Sequence, residues 1–301
     1  MSETGQRVPT VNLIGAGRVG QTLAHLWHAN GCCRVQDVLT TSRASAQAAC
    51  GFIGAGNAVE DLRAMRPADI WMLAVQDARI PAVAAALAQS HAPQSYPVEV
   101  GQAVKDAPVA FHCSGAQSSA LLSALADRGW ATASAHSILS FASPQTAAQQ
   151  FHGTACALEG HPQALQALRP LFEAIGSQCF EVAAEQKLLY HAAAVFATNF
   201  LPALEQLAED AWQDSGVPAA LLPGLRATLM GHAAANVAQL GPYGALTGPA
   251  AREDVAALEQ QSAVVRAWNA EAADAYDALV ALTLRMAKAK REAAATTANT
   301  H

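Results

Sequence analysis

The chain has 301 residues, of which 52% are hydrophobic and 14% charged, so it is long enough for two domains and too apolar to be disordered throughout. Its formal net charge of −6, with no basic cluster outside the end of the last helical pattern, argues against a nucleic-acid partner. No run of about 18 apolar residues predicts a membrane span, and residues 1–9 do not resemble a signal peptide. The six cysteines lack metal-ligand spacing, so we expect a cytoplasmic protein with reduced thiols and no metal.

The first half of the chain predicts an α/β domain with a mostly parallel sheet, because short apolar runs alternate with longer amphipathic ones. The predicted strands are Thr10–Ile14, Val35–Thr41, Ile70–Val75, Val109–Cys113, one further strand before residue 133, Thr154–Leu158 and Cys179–Val182. The predicted helices between them are Arg18–Ala29, Ser45–Cys50, Ile80–Gln89, Ser119–Asp127 and Pro162–Ile175. The strands are continuous apolar runs, which is typical of strands covered on both faces.

After Val182 the pattern predicts only helices, over Glu185–Asp214, Pro218–Leu240 and Arg252–Arg291. We therefore predict two domains: a Rossmann-type dinucleotide-binding domain over residues 1–183 and an all-helical domain over residues 184–301 for substrate binding and dimerisation.

A glycine-rich turn provides the strongest motif. Gly15-Ala16-Gly17-Arg18-Val19-Gly20 directly follows the first apolar strand and opens the first helix. In such a turn the first glycine permits the tight bend, the second lets backbone approach a pyrophosphate, and the third lets helix and strand pack closely. The free N–H groups of the helix start would then face the phosphates. A structural glycine turn without a ligand is the alternative interpretation.

The residues after the second strand bear on the choice between NADP and NAD. Asp37 stands at about the distance expected for a ribose-binding carboxylate, but the strand pattern continues past it and leaves it in mid-strand. The strand would then end at Thr40-Thr41-Ser42-Arg43, hydroxyls followed by a guanidinium, which favours a 2′-phosphate. We predict NADP, with Ser42 and Arg43 as its contacts, and NAD as the alternative; an ordinary solvated arginine would explain Arg43 as well.

Two further strands end near the same crevice, where ligands of such sheets bind. Ala74-Val75-Gln76 follows one strand, and Ser114-Gly115 follows the next. We expect them beside the nicotinamide half of the cofactor, although Ser114 would serve equally well as a turn cap.

Candidates for proton transfer lie on the helix that opens the second half. Lys187 and His191 are four residues apart and share a face, and Asn199 lies beside the same stripe. His136, in a stretch predicted as a loop after the further strand, adds a group that titrates near neutrality. These four residues are the predicted catalytic set; the alternatives are a solvated helix face for Lys187 and His191 and a structural role for His136.

The segment Leu246–Asp254 opens the last long helical pattern. Thr247 stands where a helix cap belongs, and Arg252 is a cation able to reach an anionic group. We predict both as substrate-binding residues, against the alternative of a plain helix start.

Taken together, several segments resemble one family, the Rossmann-like oxidoreductases with a C-terminal helical domain of unknown function, related to pyrroline-5-carboxylate reductases and β-hydroxyacid dehydrogenases. The segments that carry the resemblance are Gly15–Gly20, Leu73–Asp77, His112–Gly115, Ser134–His136, Tyr190–Asn199 and Leu246–Asp254. The resemblance implies a subunit that dimerises through its helices, with the active crevice between its domains. It names no substrate.

Two departures from related patterns affect the site. β-Hydroxyacid dehydrogenases carry Lys followed four residues later by Asn, whereas Lys187 is here followed by His191, which puts the transfer of their proton donor to Lys187 in doubt. Ser137 also stands where the family pattern has proline, which leaves the role of His136 open.

The sequence thus predicts an NADP-dependent oxidoreductase that reduces a small C=O or C=N substrate, with Lys187 or His191 as the acid. Two alternatives stay open: a dinucleotide-binding sensor or scaffold without turnover, and a pyrroline-5-carboxylate reductase.

Overall fold

The computed structural model describes residues 7–91 and 107–298. It divides the chain into two compact units, Met1–Ala197 and Thr198–His301. Each has its own architecture.

An eight-stranded sheet forms the first unit, in the order β3-β2-β1-β4-β5-β6-β7-β8. The strands are β1 Thr10–Ile14, β2 Arg34–Leu39, β3 Asn57–Val59, β4 Ile70–Leu73, β5 Val109–His112, β6 Ala131–Ser137, β7 Ala155–Gly160 and β8 Gln178–Glu181. All neighbouring strands run parallel except β6 and β7, which are antiparallel.

Helices connect these strands and continue through the second unit. Those of the first unit are α1 Arg18–Ala29, α2 Arg43–Ile53, α3 Ile80–Ser90, α4 Ser123–Ala126, α5 Pro144–Gln150, α6 Pro162–Ala174 and α7 Lys187–Ala194. Those of the second unit are α8 Leu201–Asp214, α9 Leu222–Ala245, α10 Gly248–Arg252, α11 Val255–Trp268 and α12 Ala270–Ala298. Short 3₁₀ turns cover Leu62–Ala64, Asp77–Arg79, Ser119–Leu122, Ala184–Gln186 and Ala219–Leu221, and Val195–Asn199 forms a π-helical turn.

Alternate residues of the central strands supply two separate cores, one on each face of the sheet. Val11 and Leu13 belong to the core that α1, α2 and α6 cover, whereas Ile14 and Trp71 belong to the core that α3 and α4 cover. Burial on both faces explains why these strands are apolar without alternation. The predicted fold class, a mostly parallel Rossmann-type sheet followed by a helical region, is confirmed.

One prediction about β6 is wrong. The sequence suggested a loop around His136, but β6 extends through this residue and pairs with β5 and β7. Its residues that face the core covered by α1, α2 and α6 are Ala131, Ala133 and Ala135, and all three are buried. Alanine has low strand propensity, so the strand is specified by the space between its neighbours rather than by its own residue types.

β3 and α5 were not predicted from the sequence. β3 is only three residues long and pairs with the end of β2, which is too short for a periodic signal. α5 begins at a serine cap, where the Ser143 side chain accepts from the Thr146 N–H, but it carries only one fully buried residue, Ala147. Both elements depend on tertiary packing.

Helices alone form the described part of the second unit, residues 198–298, but they are shorter than predicted. The single helix expected over Arg252–Arg291 is divided, because Glu253 adopts φ 57° and Asn269 is extended and caps α12. α9 is interrupted at Gly241, where φ is 68° and Pro242 follows. None of the helices within the described ranges is long and apolar enough to cross a membrane.

Candidate functional site

The glycine turn joins β1 to α1 at the carboxyl edge of the sheet. Gly15 has φ +82°, and a methyl group there would lie 2.7 Å from the carbonyl oxygen of Ala74. At Gly20 a methyl group would lie 2.8 Å from the Ala74 Cβ, so only glycine allows α1 this close to β4. Gly17, the N-cap residue of α1, has open space where a side chain would stand. The turn therefore has room for a ligand at the start of α1.

A cavity of about 800 Å³ opens in front of this turn. Its walls come from the turn, the end of β2, and the segment from the end of β4 into α3. The lining residues are Ile14, Gly15, Ala16, Gly17, Leu39, Thr40, Thr41, Ser45, Leu62, Ala74, Val75, Gln76, Ala78, Arg79, Ala82, Val83 and Ala86. Of the predicted cofactor contacts, the lining includes Gly15, Ala16, Gly17, Ala74, Val75 and Gln76, but not Arg18, Val19, Gly20, Ser42, Arg43, Ser114 or Gly115.

Asp37 is a structural residue in the middle of β2. It is 1% exposed and accepts hydrogen bonds from the Arg66 guanidinium, the closest at 2.6 Å, and from the Arg66 backbone N–H at 2.7 Å. Burial alone would raise the pKa of this carboxyl, but the hydrogen bonds from Arg66 and Asn57 outweigh burial and lower it. The end of β2 is therefore formed by Leu39 and the threonines after it, as the strand pattern indicated.

The side chains of Ser42 and Arg43 interact with residues near them in the fold. The Ser42 hydroxyl caps α2 by accepting from the Ser45 N–H, and Arg43 lies 3.6 Å from the carboxylate of Glu60. Neither residue lines the cavity. Their assignment as contacts of a 2′-phosphate stays a prediction without support from this geometry.

Ser114, after the end of β5, connects the loops that follow β4 and β5 through hydrogen bonds. Its hydroxyl donates to Asp77 Oδ2 at 2.6 Å and accepts from the Gln117 N–H at 3.1 Å. His112, fully buried, donates through Nε2 to the Ser118 carbonyl and accepts from the Ser114 N–H, and burial lowers its pKa. These bonds fix the loops after β4 and β5 relative to each other.

Lys187 is almost completely buried, at 1% exposure, so the alternative of a solvated helix face is wrong. Its ammonium donates to Ser134 Oγ at 2.7 Å and to the Ser114 carbonyl at 3.3 Å. Burial lowers the pKa of Lys187, and the carboxylates of Glu159 and Asp77 oppose this only in part. The side chain thus links α7 to the ends of β5 and β6.

Three side chains lie around the buried Gly115. A methyl group on Gly115 would lie 2.5 Å from His191 Nδ1 and 2.8 Å from His136 Nε2. His136 Nδ1 lies 2.7 Å from the Tyr190 hydroxyl, and the two imidazole rings are 5.7 Å apart. A phenol hydroxyl is a better donor than acceptor, so we assign the Tyr190 hydroxyl as donor to His136 Nδ1, which leaves the proton of a neutral His136 on Nε2.

Charge on His136 is strongly disfavoured in the folded protein. Burial, with contributions from the positive charges of His191 and Lys187, lowers its pKa to about 4. A neutral His136 has one N–H donor and no net charge, and it is suited to donate a hydrogen bond to a carbonyl or imine acceptor at neutral pH.

The same shift predicts a dependence of stability on pH. The unfolded chain protonates His136 near its ordinary pKa of 6.5, but the folded protein does so near 4, so stability is complete above pH 6.5 and is lost as the pH falls towards 4. Between pH 7 and pH 5 we expect His136 to cost about 2 kcal/mol of unfolding free energy. Urea unfolding at both pH values measures this, with His136→Gln as the control. Equal losses in both proteins would show that His136 is not the responsible group.

The remaining predicted residues lie in the second unit and are exposed. Asn199 ends the π-helical turn and accepts from the Thr198 hydroxyl at 2.8 Å. Thr247 occupies the N-cap position of α10, but its side chain makes no capping hydrogen bond, and Arg252 ends that helix. Their roles towards a substrate stay predictions.

Sequence reasoning missed Arg79, Tyr190 and Ser134. Arg79 lines the cavity, but it belongs to none of the motifs recognised in the sequence. Tyr190 directly precedes His191 in sequence, so the pair was visible as two titratable neighbours. Ser134 becomes recognisable only when β6 is identified, because its contact with Lys187 spans 53 residues.

Two family models match the chain, a Rossmann-like domain over residues 2–137 and a domain of unknown function, DUF2520, over residues 154–283. No curated protein sequence matches. Among solved structures, protein TM1727 from Thermotoga maritima is 26% identical with a TM-score of 0.72, over 93% of this chain and 99% of that one.

Two other solved structures share the fold at lower identity. BF3122 from Bacteroides fragilis, a candidate NADP oxidoreductase, is 18% identical with a TM-score of 0.69, over 92% of this chain and 98% of that one. A pyrroline-5-carboxylate reductase from Coxiella burnetii is 14% identical with a TM-score of 0.58, over 94% and 99%. The resemblance predicted from the sequence is confirmed at the level of domains: a Rossmann-like domain matches the N-terminal part of the chain, and a DUF2520 domain matches the C-terminal part.

Proposed function

We propose that the protein is an NADP-dependent oxidoreductase that reduces a small C=O or C=N substrate. The observation that carries this proposal is the glycine turn opening onto a cavity of about 800 Å³ at the carboxyl edge of the sheet. The oxidoreductases among proteins of the same fold, BF3122 and the C. burnetii reductase, support it as relatives in architecture.

The cavity residues fit a nicotinamide dinucleotide. Gly17 leaves room for a pyrophosphate at the N-terminus of α1, whose first turn carries no acidic side chain. Hydroxyls of Thr41 and Ser45 line the wall after β2, and Ala82, Val83 and Ala86 form an apolar wall for a base. When bound, such a cofactor supplies or accepts a hydride at its nicotinamide ring.

The side chains of His136 and His191 are partly exposed, whereas that of Lys187 is buried. A proton donor must come within hydrogen-bond reach of the reacting atom, and Lys187 is buried beneath the Ser114 carbonyl and Ser134. We therefore assign the proton-donor role to His191. Neutral His136, whose tautomer Tyr190 fixes, would donate a hydrogen bond to the reacting oxygen or nitrogen, and Lys187 is treated as a positioning residue. Asn199, Thr247 and Arg252 remain proposed substrate contacts.

Nucleotide binding and turnover test the proposal separately. Calorimetry with NADPH and NADH should show saturable binding, and NADPH oxidation should then be assayed with 2-keto acids, aldehydes and cyclic imino acids, including pyrroline-5-carboxylate. Failure to bind any nicotinamide nucleotide would overturn the proposal. Tight binding without turnover on any substrate would favour the sensor or scaffold alternative.

A homodimer formed through the helices is part of the proposal. Large apolar side chains in and next to helix α9 are about half exposed or more. They are Leu221, which precedes the helix, and Leu229, Leu240 and Tyr243 within it. A second subunit would cover such a surface. Light scattering should give twice the chain mass of 31.1 kDa, and Leu229→Glu with Leu240→Glu should shift it towards one chain. A monomeric wild type would contradict this.

A further inference from the structure

We infer that Arg79, which lines the cavity on the segment between β4 and α3, binds the 2′-phosphate and makes the protein prefer NADPH to NADH. This inference rests on the proposed function, because it assigns one residue of the same cavity. It replaces Arg43 as the cation of that subsite.

Charge within the cavity is the first observation. Of the described residues that line it, Arg79 alone is charged; the others are apolar, amide-bearing or hydroxyl-bearing side chains and glycines. A 2′-phosphate adds roughly two negative charges to a dinucleotide. No carboxylate lies among these lining residues, so the charge that the lining itself contributes has the sign that attracts a phosphate monoester.

The second observation is that the Arg79 guanidinium is unpaired in the described part of the chain. Only its backbone N–H has a hydrogen bond, to the Gln76 carbonyl at 2.8 Å. The neighbouring carboxylate of Asp77 is occupied by the Ser114 hydroxyl at 2.6 Å. Arginine offers five N–H donors in a planar fork that matches a phosphate, so this free side chain has the chemistry of an anion subsite.

Arg43 is less suited to the same role. It does not line the cavity, and it lies 3.6 Å from Glu60. That ion pair is exposed and weak, so it does not by itself immobilise Arg43. The carboxylate of Glu60 would nevertheless repel a phosphate that approached Arg43, whereas the Asp77 carboxylate near Arg79 does not line the cavity and accepts from the Ser114 hydroxyl.

Hydroxyl-bearing side chains line the same cavity at the end of β2. Thr41 and Ser45 line the cavity together with Arg79, and Thr40, which also lines it, donates to the Ser42 carbonyl at 2.8 Å and orders the turn. Neutral donors beside one cation are a usual environment for phosphate oxygens.

The test measures the dissociation constants of NADPH, NADH, adenosine 2′,5′-bisphosphate and ADP at one ionic strength for the wild type, Arg79→Gln, Arg79→Lys and Arg43→Gln. We expect the wild type to bind NADPH at least tenfold more tightly than NADH. Arg79→Gln should weaken NADPH and the 2′,5′-bisphosphate by about 10- to 100-fold and change NADH and ADP less than threefold. Arg79→Lys should retain part of the affinity for NADPH. Arg43→Gln, the matched control, should change every ligand less than threefold.

Other results would overturn the inference. Equal weakening of NADPH and NADH in Arg79→Gln would place Arg79 at the shared pyrophosphate, and a selective loss in Arg43→Gln would return the subsite to Arg43. If the wild type bound no dinucleotide at all, the proposed function itself would fail. Thermal unfolding of each variant confirms that the exposed substitutions leave the fold intact.

Discussion

Gly17→Asp should abolish nicotinamide dinucleotide binding while leaving the protein as stable as the wild type or more so. Gly17 is the N-cap of α1 in an extended conformation, with open space at the position of a side chain. Aspartate is among the preferred N-cap residues and its charge suits the helix start, which contributes about 0.5–1 kcal/mol. The same carboxylate would occupy and repel the site of the pyrophosphate, so we expect affinity to fall more than about 100-fold.

The opposite signs of the two effects make the experiment decisive. Gly51→Asp is the matched control, since Gly51 is exposed, has open space around it and lies in α2 outside the cavity lining. Calorimetric titration with NADPH and thermal unfolding give the two readouts. Unchanged NADPH affinity in Gly17→Asp would show that the turn does not hold the phosphates, and a loss of stability would contradict the description of Gly17 as an unconstrained cap.

Local patterns were sufficient for the elements that build the phosphate turn. β1 and α1 have the bounds that the sequence predicts, Thr10–Ile14 and Arg18–Ala29, because a strand buried on both faces and an amphipathic helix each leave a signal within a few residues. The points at which the predicted helices of the second unit are interrupted leave no such local signal. At Glu253 a non-glycine residue adopts a left-handed conformation, and a run of helix-forming residues continues across it.

The site was predictable only as a set of candidate residues. His136, His191 and Lys187 were all found from residue type and position, but their environments depend on contacts between distant strands. The Lys187 ammonium meets Ser114 and Ser134, which are 73 and 53 residues away in sequence. Because Lys187 is buried, it is interpreted as a residue that joins α7 to the strand ends rather than as an exposed acid. No local sequence pattern predicts this burial.

Lys187→Met should give a protein that is more stable than the wild type near neutral pH and less active. The buried ammonium has two neutral oxygen partners, and its desolvation is not balanced by a directly bonded carboxylate. Ser134 Oγ already donates to the Ser114 carbonyl at 3.1 Å, so removal of the ammonium leaves neither oxygen without a partner. Methionine has a similar length and no charge, and we expect a gain of about 1–2 kcal/mol.

The sign of the pH dependence follows from the lowered pKa of Lys187. The unfolded chain holds this proton to higher pH than the folded protein does, so the wild type becomes relatively more stable as the pH rises towards 10.5. The advantage of Lys187→Met should therefore shrink on the alkaline side. Urea unfolding at pH 7 and pH 9.5 measures both values.

Lys187→Ala separates the contribution of volume from that of charge. It removes the same ammonium but leaves a cavity, and should cost about 2–4 kcal/mol relative to Lys187→Met. If Lys187→Met were destabilised as much as Lys187→Ala, the hydrogen bonds of the ammonium would outweigh its burial, and the argument from desolvation would be wrong.

Turnover distinguishes a positioning residue from a proton donor. As a positioning residue, Lys187 holds the ends of β5 and β6, so Lys187→Met should lower kcat about tenfold on a substrate identified in the panel, leave NADPH affinity within threefold, and keep the shape of the pH profile. A general acid contributes about 10²–10⁴-fold, and its removal also deletes one limb of that profile. A loss of that size with a missing limb would return the donor role to Lys187. Otherwise His191, beside Gly115, would be the proton donor, because it is partly exposed whereas Lys187 is buried behind the strand ends.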